Sequence, residues 1–291
     1  MKVGIFYIGV ARYSVFWKDF YLSSEKYFLP GIDKQYFVFT DNDDEITSSL
    51  SNCEKILGGD NYTSQANNVT IYHQESFGSW VKNVLYRYKM ILGHQEDYAD
   101  CDYLYFFNAN TLFRKKVTPK EFIPQKKDNY LIALSPDFYI GHHKDSWPYE
   151  RRPESCACIP YGKGDYYYQS AIYGGRKQEY LELLRTCDEW VRKDEEKDIV
   201  ACIGDESHFN KYLLDKRVKV VGSKYGKGED VGFYWYCKII LRDKYKVLGD
   251  YYMEVKPGYK PEKFSFKRYS LKRFLRKIIK RILLKYRNAR F

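Results

Sequence analysis

A short apolar segment that ends in two amides constrains the fold of this chain more than any other feature. Residues 103–107 read Tyr-Leu-Tyr-Phe-Phe, and Asn108-Ala109-Asn110 follows directly. Such a run is typical of a strand buried on both faces, as in parallel sheets covered by helices. In open α/β sheets, ligands bind beyond the carboxyl ends of the strands. The sequence therefore predicts a covered sheet with a ligand site beside Asn108 and Asn110.

The two asparagines allow two interpretations. Their amides can hydrogen-bond ribose hydroxyls or phosphate oxygens, but they make a poor site for Mg²⁺ or Mn²⁺, which carboxylates hold in phosphate sites. Alternatively, the pair marks a plain strand-to-turn junction, because asparagine favours turns. Spacing alone favours the turn.

Strand-like and helix-like segments alternate along the chain, which predicts α/β organisation with a mostly parallel sheet. Strands are expected at residues 2–9, 36–40, 103–107, 130–134 and 219–222, and helices at residues 14–28, 79–95, 176–193 and 205–215. The polar residues 45–68 are expected to form a loop. Residues 149–175, rich in proline, glycine and charge, are expected to form a long ordered loop, and such loops are usually functional.

Positive charge is concentrated at the carboxyl end of the chain. Residues 263–291 contain 12 Lys or Arg and no Asp or Glu, whereas the preceding 262 residues carry 37 basic and 38 acidic side chains. Apolar residues from Leu271 to Ile282 recur at helical spacing between these basic residues. The sequence therefore predicts a folded body over residues 1–262 and a basic amphipathic helix over residues 263–291.

This tail predicts association with an anionic membrane surface, where basic side chains and an apolar helix face both contribute to binding. Nucleic acid is a weaker candidate, because the body supplies no continuing basic stripe. Docking of the helix on the body is a third interpretation.

The seven scattered cysteines indicate neither a zinc framework nor a disulfide scaffold, which favours a reducing compartment. No secretory signal or membrane-spanning stretch is expected.

Two candidate sites lie in the predicted helices. Trp80, Val84, Arg87 and Ile91 share one helical face, which places an arginine on an apolar stripe. Arg87 either snorkels to solvent or grips an anion at a cleft edge.

At Asp205-Glu206-Ser207-His208, Asp205 is either an ordinary helix N-cap or one of a pair of functional carboxylates. In the functional interpretation, Glu206 stabilises or attacks an oxocarbenium-like centre. His208 is expected to be structural.

Three segments together resemble the family 6 retaining glycosyltransferases, which include the histo-blood-group A and B transferases, the α-1,3-galactosyltransferase and bacterial relatives. They are Tyr149-Glu150-Arg151-Arg152-Pro153-Glu154-Ser155 through Pro160, Gly164 through Gly175, and Asp205 through Leu214. The resemblance covers about residues 2–246. It implies a GT-A fold, a UDP-sugar donor, and transfer to a galactose-type O3 with retention of the α configuration.

The same resemblance implies roles for individual residues. Glu206 would be the catalytic carboxylate, Asp205 would bind the donor hexose, and Lys244, with Arg242 nearby, would offset charge on the leaving UDP. It also implies that Tyr13, with Ile8 and Val10 through their backbone, would line the uridine pocket. The other donor-site residues it implies are Trp80, Arg87, Asn108, Ala109, Asn110, Gln169, Ser170 and Ala171. Animal members hold a metal with Asp-x-Asp where this chain has Asn108 and Asn110, and bacterial members are similar to this chain. We therefore expect transfer without a divalent metal or other cofactor.

The acceptor side departs from the blood-group enzymes. Ser135 replaces a histidine, Pro148 replaces a threonine, and Ile203-Gly204 replaces Trp-His. These departures predict an acceptor other than the fucosylated H-type glycan. A lipid-linked bacterial surface oligosaccharide, presented to a cytoplasmic enzyme at the inner face of the membrane, would suit the basic tail. Ala171 resembles galactose-using members, although one GalNAc-using branch also has alanine there. An inactive, lectin-like relative that binds sugar nucleotides or glycans is the alternative function.

Overall fold

A computed structural model describes residues 1–57, 68–139 and 142–255. Seven of its strands form one sheet. They are β1 (Lys2–Ile8), β2 (Asp33–Thr40), β3 (Val69–His73), β4 (Tyr103–Phe107), β6 (Leu131–Leu134), β7 (Gln169–Arg176) and β8 (Lys219–Val221). Their spatial order is β3-β2-β1-β4-β7-β6-β8. A smaller sheet has the order β5-β10-β9, from β5 (Thr111–Phe113), β9 (Tyr225–Gly228) and β10 (Ile239–Leu241).

Helices flank the sheets, so the predicted α/β architecture is confirmed. They are α1 (Trp17–Tyr27), α2 (Asp43–Leu57), α3 (Trp80–Leu85), α4 (Arg87–Leu92), α5 (Pro119–Phe122), α6 (Lys177–Glu195), α7 (Asp205–Leu213), α8 (Lys244–Leu248) and α9 (Asp250–Val255).

The large sheet is mixed rather than purely parallel. Strands β3, β2, β1 and β4 run parallel, whereas β7 is antiparallel to both β4 and β6. The start of β7 therefore lies beside the carboxyl end of β4, with Ile172 opposite Phe107. This register carries the residues before Ile172 to the edge at which a ligand site was predicted.

Strand β4 is buried on both faces, as its sequence predicts. On one face Tyr105 and Phe107 pack edge-on against Phe28, with ring centroids 5.7 and 5.1 Å apart. On the other face Phe106 packs against Tyr173, at 5.3 Å. The two faces belong to separate apolar clusters, so the sheet divides the core into two layers.

Three expectations for secondary structure were wrong. Residues 43–57 form α2 where a loop was expected, while residues 58–67 lie outside the described part of the chain. The helix expected over residues 79–95 is interrupted at Tyr86, so that Arg87 begins a second helix. Residues 169–176 form β7 rather than the end of a loop.

The predicted tail, residues 263–291, and therefore the division of the chain at residue 262, lie outside the described residues. In the part of the chain that the structure does describe, none of the helices combines the length and the apolar character that crossing a membrane requires.

Candidate active site

The Asn108-Ala109-Asn110 segment forms the turn between β4 and β5. The backbone N–H of Asn108 donates to the Ala171 carbonyl (2.8 Å), and the backbone N–H of Thr111 donates to the backbone carbonyl of Asn108 (2.9 Å). Ala109 is buried, and Asn108 is half-buried. The segment is therefore a strand-to-turn junction, and its backbone lies against the start of β7. A role of the two side chains in ligand binding stays a prediction.

Asn110 ties this turn to the segment that follows β10. Its side-chain Nδ2 donates to the Arg242 carbonyl (2.6 Å), and the Arg242 N–H donates to the Asn110 carbonyl (2.8 Å). The Arg242 guanidinium pairs with Asp19 (2.7 Å) and lies over the Phe16 ring (5.5 Å). Asn110 thus fixes the path of the chain into α8.

Helix α8 brings two predicted donor-site residues together. Asp243 caps the helix by accepting the Tyr245 N–H (3.0 Å), and Lys244 is the first helical residue. The Lys244 Nζ lies 5.1 Å from the centroid of the Tyr13 ring. The predicted counter-charge for UDP therefore lies beside the predicted uridine pocket.

That pocket would be built by the loop after β1. The Gly9 N–H donates to the Phe39 carbonyl (2.7 Å), and the Tyr13 N–H donates to the Val10 carbonyl (3.3 Å). The Tyr7 hydroxyl donates to the Tyr13 carbonyl (2.7 Å), which ties the loop to β1. Ile8 is half-buried and Val10 is buried, and their predicted backbone contact with uridine stays a prediction.

Arg87 is buried, and the solvent-exposed interpretation is wrong. Its guanidinium donates to the Ser170 carbonyl (3.0 Å) and lies 3.3 Å from the Asp205 carboxylate. The same group stacks over the Phe106 ring at 4.5 Å. Trp80, by contrast, begins α3 at the surface with 37% of its area exposed. Arg87 is therefore the cation that permits a carboxylate to be buried here.

Asp205 is not the N-cap of its helix. Gly204 occupies that position with φ 57° and ψ −133°, a conformation that glycine adopts without strain. The Asp205 side chain instead turns inward to Arg87. Burial raises the Asp205 pKa, and the neighbouring guanidinium acts in the opposite direction.

Glu206 lies one residue further on, half-buried, with both carboxylate oxygens bonded. The Tyr167 hydroxyl donates to Oε1 (2.5 Å), and the Ser170 N–H donates to Oε2 (2.8 Å). Burial raises the Glu206 pKa to about 7, although these hydrogen bonds act to lower it. A carboxylate with a pKa near neutrality is a candidate catalytic group.

The segment Gln169-Ser170-Ala171 opens β7 and joins the parts of the site. Ser170 contacts Arg87 through its carbonyl and Glu206 through its N–H, while the Ala171 carbonyl accepts the Asn108 N–H. Gln169 is half-buried. Gln169 pairs with Leu134 in β6, so Ser135 follows at the same edge.

The two predicted acceptor positions, Ser135 and Pro148, are held by bonds to groups other than the Asp205 and Glu206 carboxylates. Ser135 is buried, and its N–H donates to the Val221 carbonyl (2.8 Å). The Pro148 carbonyl accepts the Cys202 thiol, with S and O 3.6 Å apart. Ser135 therefore holds the sheet together with its backbone, and Pro148 approaches the loop that precedes Asp205.

Two residues that sequence reasoning did not assign also shape the site. Tyr167 contacts Glu206 directly, and Asn210 bonds both the N–H and the carbonyl of Tyr168 (2.8 and 2.7 Å). The Asn210 Nδ2 also donates to the Glu206 carbonyl (2.8 Å). Asn210 lies four residues after Glu206 on the same helix face, which is the signal that could have identified it.

Other residues of the matched segments are structural. His208 Nε2 lies 3.0 Å from the Asp194 carboxylate, which also accepts from Ser155, so the structural interpretation of His208 is confirmed. Glu150 accepts the N–H groups of Arg152 and Cys202, and its bonds with Arg152 lower its pKa to about 2. These carboxylates hold the long loop against α6 and α7.

Comparison with known proteins defines the class: the chain is a glycosyltransferase. A model of the family described as Glycosyltransferase family 6 matches residues 1–241, and the chain belongs to this family. The resemblance drawn from the three segments is thereby confirmed.

Relatives occur in bacteria and animals. The chain is 30% identical over 244 residues to the O-antigen biosynthesis glycosyltransferase WbnI of Escherichia coli, covering 84% of this chain and 95% of that protein. It is 30% identical over 226 residues to histo-blood group ABO system transferase 2 of Rattus norvegicus, covering 77% and 62%. Identity to globoside α-1,3-N-acetylgalactosaminyltransferase 1 of Gallus gallus is 26% over 228 residues, covering 77% and 61%. The matched region thus spans about three-fifths of these animal relatives.

Proposed function

We propose that the protein transfers galactose, or GalNAc, from a UDP-sugar to the O3 of a galactose-type acceptor in α-1,3 linkage, with retention of configuration. The observation that carries this proposal is the carboxylate pair at the start of α7, in which Glu206 is oriented by two donors and Asp205 is buried against Arg87. The names of two relatives support it, since one is an α-1,3-N-acetylgalactosaminyltransferase and another is an O-antigen biosynthesis glycosyltransferase.

In the proposed reaction the bond between the anomeric carbon and the UDP oxygen breaks, and UDP departs with the electron pair. The acceptor oxygen forms the new bond to the anomeric carbon, directly or by displacing Glu206 from it, and passes its proton to the departing UDP. Glu206 stabilises the developing positive charge at the anomeric carbon, or attacks it, from a fixed position. Asp205 would hold the donor hexose, and Lys244 would offset charge on UDP beside Tyr13.

The side chains at the position of the animal metal site do not fit a divalent ion. Asn108 and Asn110 bring no negative charge. We therefore propose transfer without a metal. Lys244, whose Nζ lies 5.1 Å from the Tyr13 ring centroid, is the proposed counter-charge for UDP.

The first test is UDP release from the purified protein with UDP-Gal, UDP-GalNAc, UDP-Glc and UDP-GlcNAc, each with and without EDTA, using simple β-galactosides as acceptors. We expect turnover that survives chelation and favours a galacto-configured donor. Glu206→Gln should abolish it while UDP binding, measured by calorimetry, persists. Unchanged turnover in Glu206→Gln would contradict the assignment, and UDP binding without turnover of any donor would support a lectin-like protein instead.

The proposed acceptor is a lipid-linked oligosaccharide of a bacterial surface glycan, met at the inner face of the cytoplasmic membrane. This proposal is supported by the O-antigen role that the bacterial relative's name states and by the basic, amphipathic pattern of residues 263–291. It places the enzyme on an anionic membrane surface, with no role for nucleic acid.

A further inference from the structure

We propose that Tyr167 is a positioning residue that keeps the Glu206 carboxylate ionised and aimed for the transfer reaction. The inference rests on the proposed function of Glu206 and deepens it. Tyr167 lies in the matched segment from Gly164 to Gly175, and neither the motif analysis nor the comparisons give it a role.

The contact is direct and specific to one oxygen. The Tyr167 hydroxyl donates to Glu206 Oε1 at 2.5 Å, whereas Oε2 is held by the Ser170 N–H at 2.8 Å. A main-chain donor therefore fixes one oxygen, and the phenol fixes the other. With both oxygens held, rotation of the carboxylate breaks a hydrogen bond in a buried environment, where lost bonds are costly.

Tyr167 is itself held firmly enough to act as a support. Only 1% of it is exposed, and its ring packs against Tyr139 (4.4 Å between centroids) and Tyr149 (5.5 Å). The next residue along the chain is bonded through both of its backbone groups to Asn210. Because Asn210 also bonds the Glu206 carbonyl, one side chain joins the backbones that carry the phenol and the carboxylate.

The hydroxyl also controls the proton on Glu206. Among the described residues, other ionisable groups also surround this carboxylate and the side chains that contact it. They include Asp205 and His208 on α7, Arg87 on α4, Cys202 before α7, and Tyr139 and Tyr149 beside Tyr167. Asp205 repels a second negative charge, and burial does the same, whereas a hydrogen bond from Tyr167 favours the ionised form. Removing the hydroxyl should therefore raise the Glu206 pKa further.

The test compares Tyr167→Phe with Tyr166→Phe across pH 5.5–9.5. Tyr166 is the adjacent tyrosine, 40% exposed, so its variant controls for loss of a phenol in the same segment. We expect Tyr167→Phe to move the acidic limb of kcat/KM upward by about one pH unit. This shift lowers kcat/KM about five- to tenfold at pH 6.5 and leaves most of the activity at pH 9. Tyr166→Phe should leave the limb in place.

A size-matched substitution with 3-fluorotyrosine at position 167 gives the opposite prediction. Its hydroxyl is a stronger donor, so the limb should move to lower pH, in a protein whose packing is unchanged. UDP affinity, measured by calorimetry, should equal that of the wild type in every variant.

The inference would be overturned if the acidic limb of kcat/KM stayed in place in both Tyr167 variants. It would also be overturned if Tyr166→Phe shifted that limb as far as Tyr167→Phe does. If Glu206→Gln is inactive in that case, the proposed function stands and only the role of Tyr167 fails. If Glu206→Gln keeps full turnover, the proposed function fails first.

Discussion

At the scale of single residues, buried charge dominates this site. Arg87 and Asp205 are both removed from water, and each is tolerated because the other is 3.3 Å away. Taking one partner away leaves an uncompensated charge in the core, which costs far more than the pair itself contributes. Arg87 therefore has a structural role in addition to any contact with the donor.

Arg87→Met should lower the free energy of unfolding by about 3 kcal/mol, because Asp205 is left without its counter-ion. Urea denaturation measures this change. The double variant Arg87→Met with Asp205→Asn should recover part of the loss, since it removes the orphaned charge. Lys89→Met, at an exposed position of the same helix, should change stability by less than about 0.5 kcal/mol. Equal losses in the free energy of unfolding for Lys89→Met and Arg87→Met would contradict a stabilising role of the buried ion pair.

Glu206 gives the wild-type enzyme a predicted pH dependence. Burial raises its pKa to about 7, so the active carboxylate is lost as pH falls through that value. We expect kcat/KM to rise between about pH 6 and pH 8 and then to level off. A pH–rate profile checks this, and a limb near the ordinary glutamate value of about 4.3 would show that burial does not act on Glu206.

At the scale of elements, the antiparallel strand β7 creates the site. It runs back along β4, so Ser170 and Ala171 arrive where Asn108 leaves the sheet. This approach requires glycine at position 174, because a Cβ there would lie 2.2 Å from the Tyr105 ring and 2.6 Å from the Leu104 carbonyl oxygen. The Gly174-Gly175 pair, which suggests a loop in the sequence, is instead what permits a central strand.

Gly174→Ala should destabilise the protein by about 1–3 kcal/mol, since a backbone oxygen cannot move aside as a flexible side chain can. Thermal or urea unfolding gives the change. Gly93→Ala is the control, because a Cβ there meets no atom closer than 3.5 Å and the backbone angles are helical. Comparable destabilisation at position 93 would show that the close contact with β4 is not the cause.

At the scale of the whole molecule, segments distant in sequence close the site from two sides. The turn at Asn110 holds the chain as it enters α8, and the following helices lie over the loop after β1, with Arg12 4.5 Å from the Tyr251 ring and Lys244 near Tyr13. On the opposite side, Glu150 and Asp194 fix the long loop against α6 and α7. The proposed donor and acceptor sides thus depend on different parts of the chain.

Deleting residues 263–291 should abolish binding to vesicles that contain anionic lipid, while transfer to a soluble acceptor is largely preserved. The reason is that this segment carries 12 basic residues and no acidic one, whereas the remaining residues are nearly balanced in charge. Sedimentation with anionic and with neutral vesicles measures binding, and UDP release measures transfer. Loss of both would contradict a separate membrane-binding tail.

The sequence by itself determined the architecture, the family and the candidate residues, because strand β4, the carboxylate pair and the matched segments are local patterns. It could not determine which alternative held at Arg87 or at Asp205. The burial of Arg87 depends on a strand 83 residues away in the chain. The inward turn of Asp205 depends on Gly204 taking the N-cap position. It also missed β7 and the contact of Tyr167 with Glu206. These features are non-local: only tertiary packing decides which distant groups meet, and burial by those groups sets the ionisation of the site.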